Sequence, residues 1–419
     1  MRIRIEGQHA LNGVYQPAGS PNAAQALIAA AILTEAPVTL RNLPRARSVD
    51  AMLESAAALG AAISGGDGCV TIQAAQVNRR VLSHAETDGA IGAILLLAPL
   101  LIRRQHARLE VDFTLNRIRT HLEALRDLGI DVVTTGNAVE LHAVKWKYKR
   151  IVLAQASVTA TAVVIMLAAS LGEETLIYNA ACEPHVQQLA SALVQMGAQI
   201  DGIGSNVLRI VGANELSGLE IGIMPDHIEA ASVAVMAAIC GGRVQIAYAD
   251  APDMGVIPRM FRRLGIQMDI EETGIFVPRH ESLTVSNREE DVDSSIESAP
   301  WYGFPSDLVA VATVAATQAR GTSLIHEKMF NNRLLFVDKL KAMGAQIVLC
   351  DPHRAIVVGK TPLRSIYMDS PDVRAGLGMI AAALAAEGVS TIDNAQAVEY
   401  IFAGALQKLQ DLTAAIEIT

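Results

Sequence analysis

The sequence predicts an α/β protein built from six similar folding units, grouped as two domains of three. A helix-ending signature recurs six times: Leu59-Gly60-Ala61, Leu128-Gly129-Ile130, Met196-Gly197-Ala198, Leu264-Gly265-Ile266, Met343-Gly344-Ala345 and, with Thr for Gly, Leu412-Thr413-Ala414. The spacings are about 69, 68, 68, 79 and 69 residues, the mark of an internal repeat. Glycine recurs because a helix ends best on a residue that tolerates the left-handed conformation. A chain of 419 residues is long for one core, and six units divide naturally into two sets of three. With 51% hydrophobic but only 4% aromatic residues, the core is one of Ala, Val, Ile and Leu, suited to helices packed closely on sheets.

Each unit reads as buried helix, strand, amphipathic helix, stop and strand. Met1 to Tyr15 alternates as a first strand does, and a turn follows at Pro17 to Asn22, with Asn22 the expected N-cap of a helix Ala23–Leu33. A strand Pro37–Leu40 and a helix Ser48–Leu59, capped by Ser48, follow. Ala61–Ser64 and Cys69–Ile72 pair across Gly65-Gly66-Asp67-Gly68, a strong hairpin signal. Unit two has Ala90–Leu101, strand Ala107–Val111 and helix Arg119–Leu128; unit three has Ser157–Leu171, Leu176–Tyr178 and His185–Met196. Unit four has Ile228–Ile239, Val244–Tyr248 and Val256–Leu264. Unit five has Leu308–Ala319, Ser323–Ile325 and Leu334–Ala342. Unit six has Val373–Ala386, Ser390–Ile392 and Tyr400–Leu412. The one long interval falls at 286–298, a run of Asn, Glu, Asp and Ser that reads as an exposed acidic loop. Residues 20–222 form the expected first domain, and residues 1–19 with 223–419 the second, so the chain crosses twice.

A net charge of −9 and a pI near 5.6 argue against a nucleic-acid binder. A basic stretch from Arg103 to Arg150 reads either as a solvated surface or as an anion site. Cys69, Cys182, Cys240 and Cys350 lack metal spacing, and Met1-Arg2-Ile3-Arg4-Ile5 is no secretory signal; a reduced, cytoplasmic protein is expected. The longest apolar run, Ala90–Ile102, is too short to span a membrane. Cys182 with His185 is a weak metal pair without a second pair, and no metal or cofactor is expected. Asp226 and Glu229 read as caps of the fourth buried helix.

Taken in order, several segments match one family. They are Ser157-Val158-Thr159-Ala160-Thr161, Asn179 to Pro184, Met224-Pro225-Asp226-His227-Ile228-Glu229, Phe304-Pro305-Ser306-Asp307, Met329-Phe330-Asn331-Asn332-Arg333 and Asp372-Val373-Arg374-Ala375. On these the chain resembles, along its whole length, the bacterial enolpyruvyl transferases, most closely the branch that acts on UDP-sugars. The resemblance implies a two-domain inside-out α/β barrel of six βαβαββ-type repeats, whose helices are enclosed by sheets. It implies transfer of the enolpyruvyl group of phosphoenolpyruvate to a UDP-sugar hydroxyl in peptidoglycan precursor synthesis. The expected partners are these small molecules, with no nucleic acid and no membrane.

The chemistry needs a base for the hydroxyl proton, an acid for the vinyl carbon and cations for phosphate and carboxylate. By resemblance, Asp307 is the carboxylate near the sugar hydroxyl, and a carboxylate among apolar walls can be tuned to act as a base. As an alternative, Asp307 caps the helix that follows it. Asp372 and Arg374 match a family pair, and Arg333 an Arg beside the UDP-sugar, next to Met329 and Phe330. Ser157, Val158 and Thr161 match the uridine and phosphate loop, where helix-start amides suit a phosphate. Asn22 and His121 match substrate-side positions, and Arg117 does so after a one-residue slip.

The phosphoenolpyruvate side departs from the pattern. The family's first loop reads Ser-Gly-Ala-Lys-Asn-Ala, and here it is Ala18-Gly19-Ser20-Pro21-Asn22-Ala23, so Pro21 replaces the phosphate-binding Lys. Arg is missing near Ile91 and near Gly404, Gln155 stands for a Lys, and Val111 to Leu115 lacks the acidic Cys, with Asp112 a stand-in only if the loop shifts. Each lost charge-assisted contact is worth roughly 1.5–3 kcal/mol. Two readings stay open: a carboxyvinyl transferase with unusual ligands, or a paralogue that binds a UDP-sugar, a nucleotide or a partner protein without this chemistry.

Overall fold

The computed structural model describes residues 1–83, 91–111, 113–248, 254–286, 295–369, 375–402 and 404–419, the side chain of Ile91 excepted. Two compact units divide the chain, one of residues 19–224 and one of residues 1–18 with 225–419.

The 19–224 unit holds three four-stranded sheets of one design, a parallel pair followed by an antiparallel hairpin. In the first sheet Leu219–Gly222 runs parallel to Val38–Arg41, which pairs with Cys69–Gln73 and then Ala62–Gly66. In the second, Val81–Leu82 lies parallel to His106–Glu110, followed by Ala138–His142 and Asp131–Thr135. In the third, Trp146–Val152 lies parallel to Gly172–Tyr178, followed by Val207–Val211 and Gln199–Asp201. The strand that completes the first repeat comes from the end of the third.

The other unit repeats the design with the same borrowing. Its N-terminal residues, expected as one strand, form two: Asn12–Tyr15 pairs parallel with Arg243–Ala247, and Ile3–Glu6 sits between Val389–Ile392 and Ala415–Ile418 in a different sheet. The break is at Gln8, whose φ is +63°. Alternation along a sequence does not reveal that its two halves serve different sheets. The remaining sheet is centred on Ala319–His326 and Arg354–Gly359 and gains a fifth strand, Ser295–Glu297. The end of the expected acidic loop is therefore a strand, and Ser298 after it is fully buried; residues 287–294 lie outside the described residues.

Six helices fill these sheets: α1 (Pro21–Ala31), α2 (Leu97–Arg104), α3 (Val158–Leu171), α4 (His227–Ile239), α5 (Val309–Gln318) and α6 (Gly376–Ala385). Every residue of α5 is buried, as is α4 from His227 to Ala238. A helix apolar all round must be covered on every side, and α5 packs on both α4 and α6. The crossing is close at Gly378, where a Cβ would lie 2.8 Å from Ala310 Cβ.

The six stops share one conformation. φ is +108° at Gly60, +87° at Gly129, +119° at Gly197, +80° at Gly265, +99° at Gly344 and +71° at Thr413. Thr413 adopts this region against its β-branched side chain, and its hydroxyl donates to Ala10 O at 2.9 Å. Some ends differ from expectation. Helix α1 starts at Pro21 with Ser20 as N-cap, so Asn22 lies inside the first turn, exposed; Pro is pre-set for the first helical position. The first amphipathic helix, Arg47–Ala58, starts after Ala46, which leaves Ser48 inside it. The fifth amphipathic helix is only Val337–Ala342, and the sixth is split into Gln396–Glu399 and Ala405–Asp411. Among the described residues no helix is long and apolar enough to cross a membrane.

Candidate functional site

In the unit of residues 1–18 and 225–419, the segments carrying Asp307, Met329, Phe330 and Arg333 gather around one buried carboxylate that the sequence did not point out. Glu327 follows directly on the strand Ala319–His326 and is fully buried. Its Oε1 accepts from Ser298 Oγ at 2.9 Å, Met329 N at 2.8 Å and Phe330 N at 3.0 Å, and its Oε2 accepts from Ser306 Oγ at 2.5 Å. One carboxylate thus ties the Met329-Phe330 turn to the Phe304-Pro305-Ser306-Asp307 segment. Phe304 anchors that segment from below, edge-on to Phe261 with ring centroids 5.5 Å apart.

The turn delivers Arg333 to Asp307. Arg333 Nη1 lies 3.0 Å from Asp307 Oδ1, with the arginine side chain 13% exposed and the aspartate 39% exposed. The guanidinium also stacks over the Phe330 ring, 4.8 Å from its centroid. Phe330 is itself exposed and Met329 half-buried. Asp307 lies within a short 3-10 turn whose N-cap is Pro305, so it serves as an ion-pair partner and not as the cap. His227 lies buried near it, edge-on to Trp301 at 5.4 Å. Burial pushes His227 down to about 4 against the opposing pull of Asp307, so the imidazole is neutral at neutral pH.

Asp226 caps α4, accepting from Ile228 N at 2.8 Å and Glu229 N at 2.9 Å. Glu229 does something else. Its buried carboxylate accepts from Tyr15 OH at 2.5 Å, Lys408 Nζ at 3.0 Å and Ala18 N at 3.2 Å. Burial raises its pKa, opposed first by the Lys408 charge. Asp372 and Arg374 lie outside the described residues.

In the 19–224 unit, His121 and the start of α3 come together. His121 Nε2 and Thr159 Oγ1 are hydrogen-bonded at 2.8 Å. Burial pushes His121 down to about 4, so it offers a neutral ring and no positive charge at neutral pH. Ser157 is the N-cap of α3, its Oγ accepting from Ala160 N at 3.4 Å, and Val158 beside it is half-buried. Thr161 is fully buried, and its hydroxyl accepts from Ala181 N at 2.9 Å, holding the Asn179–Pro184 segment. Arg117 is exposed, with its guanidinium 5.8 Å from the Phe113 ring centroid. Pro21 is buried at the start of α1, and Asp112 lies outside the described residues.

Part of the basic stretch is engaged locally. Arg103 donates to Ala74 O at 2.9 Å and pairs with Glu35 at 3.1 Å. Arg108 pairs with Glu110, Arg119 with Glu123, and Arg150 stacks over Tyr178. Three of its cations, Arg103, Arg108 and Arg119, are thus paired with carboxylates.

This architecture has close counterparts. Residues 5–409 match the family model of EPSP synthase (3-phosphoshikimate 1-carboxyvinyltransferase). A protein named UDP-N-acetylglucosamine 1-carboxyvinyltransferase from Bradyrhizobium diazoefficiens is 39% identical, covering 99% of this chain and 97% of its own. Its namesake from Porphyromonas gingivalis is 40% identical over 94% of each chain. Among solved structures, the enolpyruvyl transferase NikO from Streptomyces tendae superposes with a TM-score of 0.86 at 21% identity, covering 99% of this chain and 98% of that one. An EPSP synthase from Acinetobacter baumannii reaches 0.77 at 19% identity, over 100% of this chain and 99% of that one. The two-unit α/β fold is shared with both, and with a family model matched over nearly its whole length this chain belongs to the enolpyruvyl transferases of the EPSP synthase family.

Proposed function

We propose that this protein is a carboxyvinyl transferase that moves the enolpyruvyl group of phosphoenolpyruvate to a hydroxyl of UDP-N-acetylglucosamine, a step toward peptidoglycan precursors. The observation that carries this reading is the Asp307–Arg333 pair on a turn held by Glu327, in a chain 39–40% identical to proteins of that name. An aspartate beside an arginine, yet partly open to solvent, is placed to accept the hydroxyl proton. Neutral His227 behind it adds no competing charge. Arg333, Met329 and Phe330 are assigned to the sugar nucleotide, as are Ser157, Val158, Thr161 and His121, with Asn22 and Arg117 assigned to the donor side. Asp372 and Arg374 are carried by resemblance alone.

Incubating the protein with both substrates and weighing the nucleotide product by mass spectrometry tests this. The expected product carries one added enolpyruvyl group, and Asp307→Asn lowers its rate by about a hundredfold or more, the scale of losing a general base. Absence of the product at high enzyme concentration refutes the proposal. The second reading, a sugar-nucleotide binder without donor chemistry, is favoured by Pro21, a buried residue with no charge and no N–H where the family has Lys. Calorimetry that finds UDP-N-acetylglucosamine binding and no phosphoenolpyruvate binding selects it.

A further inference from the structure

His106, Glu140 and His142 form a cluster on the 19–224 unit that the reading above does not use. They stand on neighbouring antiparallel strands, His106 directly opposite His142 and Arg108 opposite Glu140. Ala107, Leu109, Val139 and Leu141 are buried on one face of the sheet, so alternation puts the cluster on the other face. Their side chains are 19%, 36% and 51% exposed, respectively. His106 Nε2 lies 2.8 Å and His142 Nε2 3.9 Å from Glu140 Oε1, and the two rings are 4.7 Å apart. One ligand atom from each residue falls within a 4.8 Å group. In a tetrahedral zinc site with bonds near 2.0–2.1 Å, ligand atoms stand roughly 3.3 Å apart, so sub-ångström to ångström side-chain shifts close this set. The half-exposed His142 has the freedom to make the larger one.

We propose that His106, Glu140 and His142 bind a borderline first-row divalent cation of the Zn2+ type, clamping the two strands. Two imidazoles and one carboxylate suit such an ion and not Mg2+ or Ca2+, which prefer all-oxygen sets. Glu140 sits below the ordinary carboxylate value, first through its hydrogen bond with His106, so it is anionic at neutral pH. The surrounding charges are Arg108, which Glu110 engages at 3.2 Å and whose other nitrogen stands 3.9 Å from Glu140, and Asp131 opposite His142 on the next strand. Binding needs a free lone pair on each imidazole, so protons compete with the metal for these ligands.

Titrating the full chain with ZnCl2 by calorimetry at neutral pH, alongside His142→Ala and Glu140→Gln, tests this. One equivalent is expected to bind the native protein, excess MgCl2 does not displace it, and each variant weakens binding at least tenfold. A zinc-induced rise in thermal midpoint accompanies binding and is lost in both variants. No saturable binding at millimolar Zn2+, or undiminished affinity in both variants, overturns the proposal.

Discussion

Glu327 shows how much of this site rests on one side chain. Its carboxylate accepts four hydrogen bonds with no solvent exposure. Glu327→Ala strands several buried donors, each costing on the order of 1–3 kcal/mol. A loss of about 3 kcal/mol in urea unfolding is expected, with Glu327→Gln milder because the Ser306 hydroxyl can turn to accept from the new amide. Glu327 and the Asp307–Arg333 pair were not equally legible in the sequence. Motif likeness pointed to both members of the pair, but burial of a carboxylate leaves no local trace in His326-Glu327-Lys328. The two buried histidines give a pH signature. His121 and His227 titrate near 4 when folded against about 6.5 when unfolded. Between those values the unfolded chain takes up protons that the folded chain refuses. Stability is therefore full above pH 6.5 and falls as pH drops toward 4, by on the order of 3 kcal/mol per histidine. Urea midpoints measured across this range should show a slope that flattens in His121→Gln.

At the scale of elements, close packing and buried charge make opposite demands. Gly378→Ala raises helix propensity by about 1 kcal/mol, yet its methyl would meet Ala310 at 2.8 Å. Overpacking costs about 1–3 kcal/mol, so the net expectation is a lower thermal midpoint. Lys408→Met leaves Glu229 buried without its cation and should cost about 3 kcal/mol, most of it recovered by adding Glu229→Gln. Chemical denaturation of the single and double variants checks both statements. The elements themselves were largely legible, because the Gly stops report a backbone conformation that few other residues accept. Element ends were less so. Ser48 looks like a cap by type, yet the helix begins one residue earlier, and Ser20, with Pro21 as the first helical residue, takes the N-cap position expected of Asn22.

For the whole molecule, strand borrowing decides what folds with what. The strand Leu219–Gly222 completes a sheet begun by Val38–Arg41, so all three sheets of that unit lie within residues 19–224. A 19–224 fragment is expected to unfold cooperatively by circular dichroism, and a 19–216 fragment to be markedly less stable. In the other unit, strands Ile3–Glu6 and Asn12–Tyr15 tie the start of the chain into two sheets. Six repeats were visible in sequence because their stops are local; the exchange of strands between repeats is a long-range property and was not. The same contrast holds for function. The Asp307–Arg333 pair expected by resemblance is present in residues and in geometry, while Pro21 stands where the resemblance expects a cation.

The most direct test of this account is the rate of phosphate release from phosphoenolpyruvate as UDP-N-acetylglucosamine is varied. The account predicts release that saturates with the sugar nucleotide and collapses in Asp307→Asn. Release no faster than in enzyme-free buffer, or release indifferent to the sugar nucleotide, contradicts it.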